Sequence, residues 1–490
     1  MADRYIEHLL RRAGFGARPD ELRSYGEMSV SDAIDALINY QRLPDTVDAK
    51  IGTPGYAGIT TRGVFSPQSV ILDARQRWLF RMVHSDRPLQ EKMTLFWHDH
   101  FATSYDKIAM TLGGAEATRY MAAKPSEDPG GVRGQLEMLR DKALGNFRDI
   151  LVSVAKDTAM LVWLDGSTNT KAKPQENFAR EIMELFTMGV GYYTEEDVYA
   201  GARVFTGWNL HRTRREGGPP ASATSDPSFF EFFYDASQHD TGSKTFSFPI
   251  YPDGGTTIPA RSPDGGMQDG LDLIDALARN PNTGRYLAAK LYRFFVSEFR
   301  PPDPAFVDRI ASAYFANQYD MRAVVREVFL SPQFWDDRSF FARYSWPVEF
   351  VVRAMKEIGW NGFSVDNARA AMFAMGQELY APPDVAGWAA GRTWFASGMM
   401  LARMNFASTL STNQRFILAA RAQSAAATPE SLLSFFLTEL RAAPMDTAVR
   451  SELLGYLRGT GQWTASTTQI QDKSAGLAHL IAGSPEYQLN

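Results

Sequence analysis

The sequence contains no cysteine. That excludes disulfides, thiolate zinc sites, iron–sulfur clusters and cysteine nucleophiles together. No stretch approaches the roughly 18 consecutive apolar residues of a membrane-spanning helix, so no transmembrane segment is expected. Positive charge is not in excess. The 51 basic and 56 acidic residues leave a net charge of −5, and no basic stripe is present, so no nucleic-acid partner is expected. The N-terminal MADRYIEHLLRRAGFG lacks the basic start and apolar stretch of a signal peptide, which points to the cytoplasm. Also missing are a Gly-x-Ser-x-Gly nucleophile elbow, a Gly-x-x-x-x-Gly-Lys phosphate loop and a His-Glu-x-x-His zinc helix.

What is present is a globular composition. Of 490 residues, 44% are hydrophobic, 12% aromatic and 22% charged. This excludes wholesale disorder and supplies a large core. Helical periodicity dominates. Ile6, Leu9 and Leu10 mark an opening helix, and Ser31 is the expected cap of a second that runs through Tyr40. Residues 42–66 read as a connection containing Pro44 and Pro54. Helices follow over 68–84 and from Pro88 onward, and residues 132–164 read as two more. Another spans 176–188, and Thr194 with Asp197 forms a capping-box-like start. Residues 211–270 differ. They hold Gly217-Gly218-Pro219-Pro220, two Pro-Asp-Gly-Gly turns and Phe-rich runs, and read as a small β-ribbon or loop insertion. Helices return over 271–410, and 411–490 read as a looser helical extension. The expected fold is therefore mainly α: a large multi-helix domain over 1–410 with a β/loop insertion at 211–270, and a C-terminal helical region over 411–490.

Four constellations carry candidate chemistry. In Phe96-Trp97-His98-Asp99-His100-Phe101, two of only 7 histidines stand one residue apart. In a helix such positions face opposite ways, so His98 and His100 converge as metal ligands only where the chain is extended. In Glu176-Asn177-Phe178-Ala179-Arg180-Glu181-Ile182-Met183-Glu184, the Phe178 and Ile182 stripe faces the core, and Asn177, Glu181 and Glu184 share the adjoining line. Carboxylates at i and i+3 repel unless a cation intervenes. Arg180 is one such cation, and a metal shared with the histidines is another. A helix flank with a single salt bridge is the plainer reading. His239-Asp240 sits in a loop, where it serves either as an acid–base pair or as a turn. Finally, Pro382-Pro383-Asp384-Val385-Ala386-Gly387-Trp388, continuing to Trp394, forms a rigid aromatic loop that either lines a glycan or peptide pocket or caps the core.

Together with His8-Leu9-Leu10-Arg11-Arg12-Ala13-Gly14-Phe15-Gly16 and Thr206-Gly207-Trp208, these motifs resemble a large bacterial family known as domain of unknown function number eighteen hundred. The resemblance covers residues 3–410. It implies a mostly helical protein, often encoded beside a second family that resembles exported phosphatase- or sulfatase-like proteins. That neighbourhood implies an envelope or extracellular setting and a possible partner. The recurring motifs contain His98, His100, Glu176, Asn177, Arg180, Glu181, Glu184, His239 and Asp240.

The function expected from these residues is that of a metal-dependent enzyme, a hydrolase ahead of an oxygenase, acting on a small-molecule, glycan or peptide substrate. His98, His100, Glu181 and Glu184 would hold a divalent zinc, iron or manganese ion, with His239, Glu176 and Arg180 as the catalytic groups. The alternative is a non-catalytic glycan- or protein-binding assembly factor whose motif residues form a buried polar network. Geometry discriminates: imidazoles and carboxylates more than about 6–7 Å apart cannot share a metal with bonds of about 2.0–2.2 Å.

Overall fold

The computed structural model describes residues 4–53, 64–214, 228–360, 365–459 and 461–490. Among the described residues there are twenty-four α-helices and two small two-stranded sheets. The fold is mainly α with a small β insertion. No described helix is long and apolar enough to cross a membrane.

Local sequence explains where the helices start and stop. The Arg4–Gly14 helix buries Ile6, Leu9, Leu10 and Ala13. The next-but-one helix is capped by Ser29, whose Oγ accepts from Asp32 N, so it starts at Val30, ahead of the expected Ser31 cap. Asn146 and Asp157 each cap a helix, which divides residues 132–164 into three helices where two were expected. Pro88 opens the Pro88–His100 helix, whose Leu89, Met93, Leu95, Phe96 and Trp97 are all buried. The helix is buried on every side, its polar residues included, with Lys92 paired to Glu349 and Glu91 to Arg140, so it lies in the middle of the helical body.

The insertion is a β-ribbon. Strands β1 (Trp208–Arg214) and β2 (Ser228–Tyr234) pair antiparallel, in register from Trp208↔Tyr234 to Arg214↔Ser228. The Gly217–Pro220 turn lies outside the described residues, as does Pro54 of the earlier connection. Both Pro-Asp-Gly-Gly segments make turns. In the first, Gly255 N–H bonds to the Asp253 carboxylate, and the second leads into the Met267–Arg279 helix.

The C-terminal region is less separate than expected. The Pro429–Leu440 and Thr467–Gly483 helices pack on the Pro347–Ile358 and Ser397–Asn413 helices. They bury Leu432, Phe436, Leu477 and Ile481 in the same core. Leu489 pairs with Tyr344, and Arg353 donates to the Leu489 carbonyl at 2.8 Å. Within this body the Pro88–His100, Asn177–Glu184 and Pro281–Leu291 helices and the 380–388 loop surround the candidate site.

Candidate functional site

The two histidines do not converge. The helix runs through His100, so successive side chains turn by about 100° and His98 and His100 face different neighbours. His98 Nε2 accepts the Tyr380 N–H at 3.1 Å, which leaves the ring proton on Nδ1. Its ring lies against Trp78, Tyr380 and Trp388. Burial holds it down to about 3, so it is neutral. His100 pairs through Nε2 with the Phe186 carbonyl at 3.0 Å, at the far end of the Glu-rich helix. Burial, then the charge of Lys290, keeps it well below the ordinary imidazole value. Each imidazole therefore pins a different backbone segment. Among the described residues no group of three or more His, Asp or Glu side chains is placed to hold a metal ion. The expected ligand set of His98, His100, Glu181 and Glu184 is not assembled.

What does converge is the residue between the histidines. Asp99 accepts the Trp388 N–H at 2.8 Å. Gly387, at φ +88°, lies so close that a Cβ there would stand 2.5 Å from Asp99 Oδ1. Only glycine serves at that position. Tyr380, at the other end of the loop, has φ +66°, an outlier for a bulky residue. It is held there by His98 on its N–H and by Tyr105 N–H on its carbonyl at 2.8 Å. Strain of this kind persists where surrounding contacts over-determine the backbone. Burial raises the Asp99 carboxyl to about 6, against the opposing pull of Lys290 and the Trp388 hydrogen bond.

Facing Asp99 are Tyr286 and Lys290, one turn apart on the Pro281–Leu291 helix. Lys290 Nζ stands 5.6 Å from the Tyr286 ring centre. Burial, then the nearby Arg293, lowers Lys290, although Asp99 favours its charge. The Tyr286 hydroxyl is raised to about 12, first by burial, with Arg293 opposing and Glu184 and Asp99 adding. Tyr286 thus stands in the fields of Asp99 on one side and the Asn177–Glu184 helix on the other. The helix continues directly into a π-helical segment, Tyr292–Val296, the kind of irregularity that accumulates near functional sites.

The third wall is the carboxylate pair. Glu184 accepts from the Tyr193 hydroxyl. The Glu181 side chain has no hydrogen bond or ion pair among the described residues. Burial and the neighbouring Glu184 raise it to about 7, with Arg180 opposing. Arg180 does not bridge to Glu184. It grips Glu195 with two bonds of 2.8 and 2.7 Å and reaches Glu176 at 3.4 Å. Asn177 is held by Asp165 at 2.9 Å. Asp99, Glu181 and Lys290 stand out because most charges here are paired. A cleft of about 420 Å³ beside Tyr25 and Pro88 illustrates the contrast. Its carboxylates are already answered: Asp20 and Asp86 by Arg18, Glu21 by Lys356, and Asp35 by Arg326.

His239 lies in a separate polar knot and is fully buried. Its Nδ1 faces the Thr206 carbonyl at 2.8 Å and its Nε2 faces Asp269 at 3.2 Å. Lys244 and Arg261 complete the pairing of Asp269. Gly266 presses on the imidazole so closely that a Cβ there would come within 2.1 Å. Asp240 is bound to Arg203 at 2.8 and 3.0 Å. Enclosed in this way, His239 is not available from a loop as the expected acid or base. Nor is Glu176, which is exposed and engaged by Arg180. Trp388 and Trp394 are both buried, so the Pro/Trp loop packs on the core and offers no open aromatic platform.

Asp99, the 380–388 loop and the Glu181–Glu184 pair come from motifs singled out in the sequence, whereas Tyr286 and Lys290 do not. The family model described as "Protein of unknown function (DUF1800)" matches residues 8–489. The chain belongs to this family. No curated protein and no solved structure matches it. The DUF1800 match includes the C-terminal helices, consistent with their place in the common core. Sequence reasoning quoted Asp99 only as the spacer between the histidines. Extending the helical phase from Pro88 through residue 100 would have separated the imidazoles. Tyr286 and Lys290 carried one weak signal, an i, i+4 polar pair in an otherwise apolar stretch.

Proposed function

We propose that this DUF1800 protein is a hydrolase that acts by carboxyl acid–base catalysis, with Asp99 as base and Glu181 as acid. The observation that supports this most is the arrangement around Tyr286: its hydroxyl lies in the fields of Asp99 and Glu184, Glu181 stands one turn before Glu184, burial raises Asp99 to about 6, and burial with Glu184 raises Glu181 to about 7. Near pH 6.5 the first is mostly ionised and the second mostly protonated, the division of labour that general acid–base catalysis needs. Asp99 takes a proton from water, and Glu181 gives one to the leaving oxygen. Lys290 and Tyr286 orient polar groups of the substrate. One carboxyl as acid and another as base is the pairing that glycosidic-bond hydrolysis uses. The substrate class proposed is therefore a glycan. No step is routed through a metal.

The test is sugar release from a panel of bacterial envelope polysaccharides and aryl glycosides. The wild type is expected to show a bell-shaped pH profile centred near 6.5. Asp99→Asn and Glu181→Gln are each expected to lose at least about a hundredfold, the usual size of an acid–base contribution. Equal activity in wild type and both variants would overturn the proposal. A binding or assembly role is the second reading. It is favoured by the exposed apolar Phe373, Leu401 and Met404.

A further inference from the structure

The Arg4–Gly14 helix carries adjacent arginines into the interior. Arg12 is 0% exposed. Its Nη2 donates to the Ser339 carbonyl, but among the described residues Nε and Nη1 have no hydrogen-bond partner. Arg343, also 0% exposed, spends Nε on the Arg293 carbonyl and Nη1 on Glu349, and its Nη2 has no partner among the described residues. The two guanidiniums feel each other strongly. After burial itself, Arg343 is the largest influence pushing Arg12 well below the ordinary guanidinium value. Buried donors in native proteins nearly always find an acceptor, and a missing one destabilises the fold.

The local charge does not balance either. Arg12 and Lys92 both lie in the field of Arg343, and Lys92 in that of Arg12. The carboxylates acting on Arg12 are Glu298 and Glu349. Glu349 is already shared between Lys92 and Arg343, and Glu298 accepts from Tyr344 N and Trp346 Nε1. Three cations against two carboxylates leave a surplus of one positive charge in the interior. Arginine forks with spare N–H groups are matched by planar or tetrahedral oxyanions.

We propose that Arg12 and Arg343 form a buried binding site for a small inorganic oxyanion, phosphate or sulfate, taken up on folding. The anion accepts from Arg12 Nε and Nη1 and from Arg343 Nη2, and offsets the positive surplus. This site is independent of Asp99 and Glu181 and stands whether or not the catalytic proposal holds.

Two measurements on the intact chain test it. Protein desalted into an anion-defined chloride buffer is unfolded, and the released anions are counted by ion chromatography. About one equivalent of phosphate or sulfate per chain is expected, and which one appears identifies the source. Separately, the protein is refolded in chloride at fixed ionic strength with phosphate or sulfate added. A saturable rise in Tm of several degrees at low-millimolar anion is expected, distinct from the non-saturating effect of bulk sulfate at high concentration. Arg12→Met is expected to lose both the bound anion and the saturable rise. If Arg12→Met does not fold, the wild-type measurements decide alone. No released oxyanion together with no saturable shift in the wild type overturns the proposal. So does an Arg12→Met protein more stable than wild type at every anion concentration, since it would mark Arg12 as an uncompensated buried charge.

Discussion

At Glu181 two effects push the same way: partial burial disfavours the carboxylate, and Glu184 one turn later repels it. Removing the second effect isolates it. Glu184→Gln is expected to move Glu181 from about 7 toward the ordinary carboxyl range, seen as one fewer proton released between pH 6 and 8 in a difference titration. The linkage to stability has a definite sign. A carboxyl whose folded value lies above its unfolded value stabilises the fold at low pH, and that contribution is lost as pH rises from about 4 through about 7. Glu181→Gln, which removes this opposing contribution, is therefore expected to steepen the overall rise in Tm with pH over that window. The carboxylate pair was legible in the sequence because the 3.6-residue period placed Glu181 and Glu184 on one line. The approach of Tyr286 to Glu184 and of Lys290 to Asp99 was not, because no local pattern reports which distant helix will face which.

The Pro88–His100 helix shows how a correct rule was applied to the wrong local conformation. Alternate residues share a face only in extended chain, and this segment is helical to its last histidine. The imidazoles became two pins, with the carboxyl between them directed at the site. Removing one pin should affect the loop more than the helix. His98→Ala is expected to cost about 2–4 kcal/mol in urea unfolding, combining a cavity with a lost acceptor for Tyr380 N–H. Its metal content should equal that of the wild type. Gly387→Ala attacks the same clamp from the other side. The added Cβ meets Asp99 at a positive φ, so the loop must shift, at a cost of about 1–3 kcal/mol. Altered Trp388 fluorescence and faster proteolysis within 380–394 should accompany it. Unchanged fluorescence and proteolysis in both variants would mean that the loop is not held by this helix.

For the molecule as a whole, the composition was enough to establish a large helical body, and helical periodicity placed most of its elements. The fate of residues 411–490 was hidden. Their alanine- and serine-rich helices look polar and loose when read alone, and the pairing of Leu489 with Tyr344 is a contact between distant segments. The body also buries His8, His84, His98 and His100 in neutral form. Their folded values lie below the unfolded one, so their contribution is present above about pH 6.5 and is lost as pH falls toward 3. Asp48 and Glu349, held low by Arg and Lys partners despite burial, lose theirs further down. Together these outweigh the raised Asp99, Asp157 and Glu181. Calorimetry is expected to show Tm falling steadily from pH 6.5 to pH 4. A Tm that rises on acidification would contradict this balance.

The proposed chemistry needs two carboxyls, Asp99 and Glu181, held in different protonation states. The most direct measurement is a carboxyl carbon-13 NMR titration of glutamate- and aspartate-labelled protein, with Asp99→Asn and Glu181→Gln spectra for assignment. Midpoints near 6 for Asp99 and near 7 for Glu181 are predicted. Midpoints for both groups near 4, as in unconstrained side chains, would contradict the proposed chemistry.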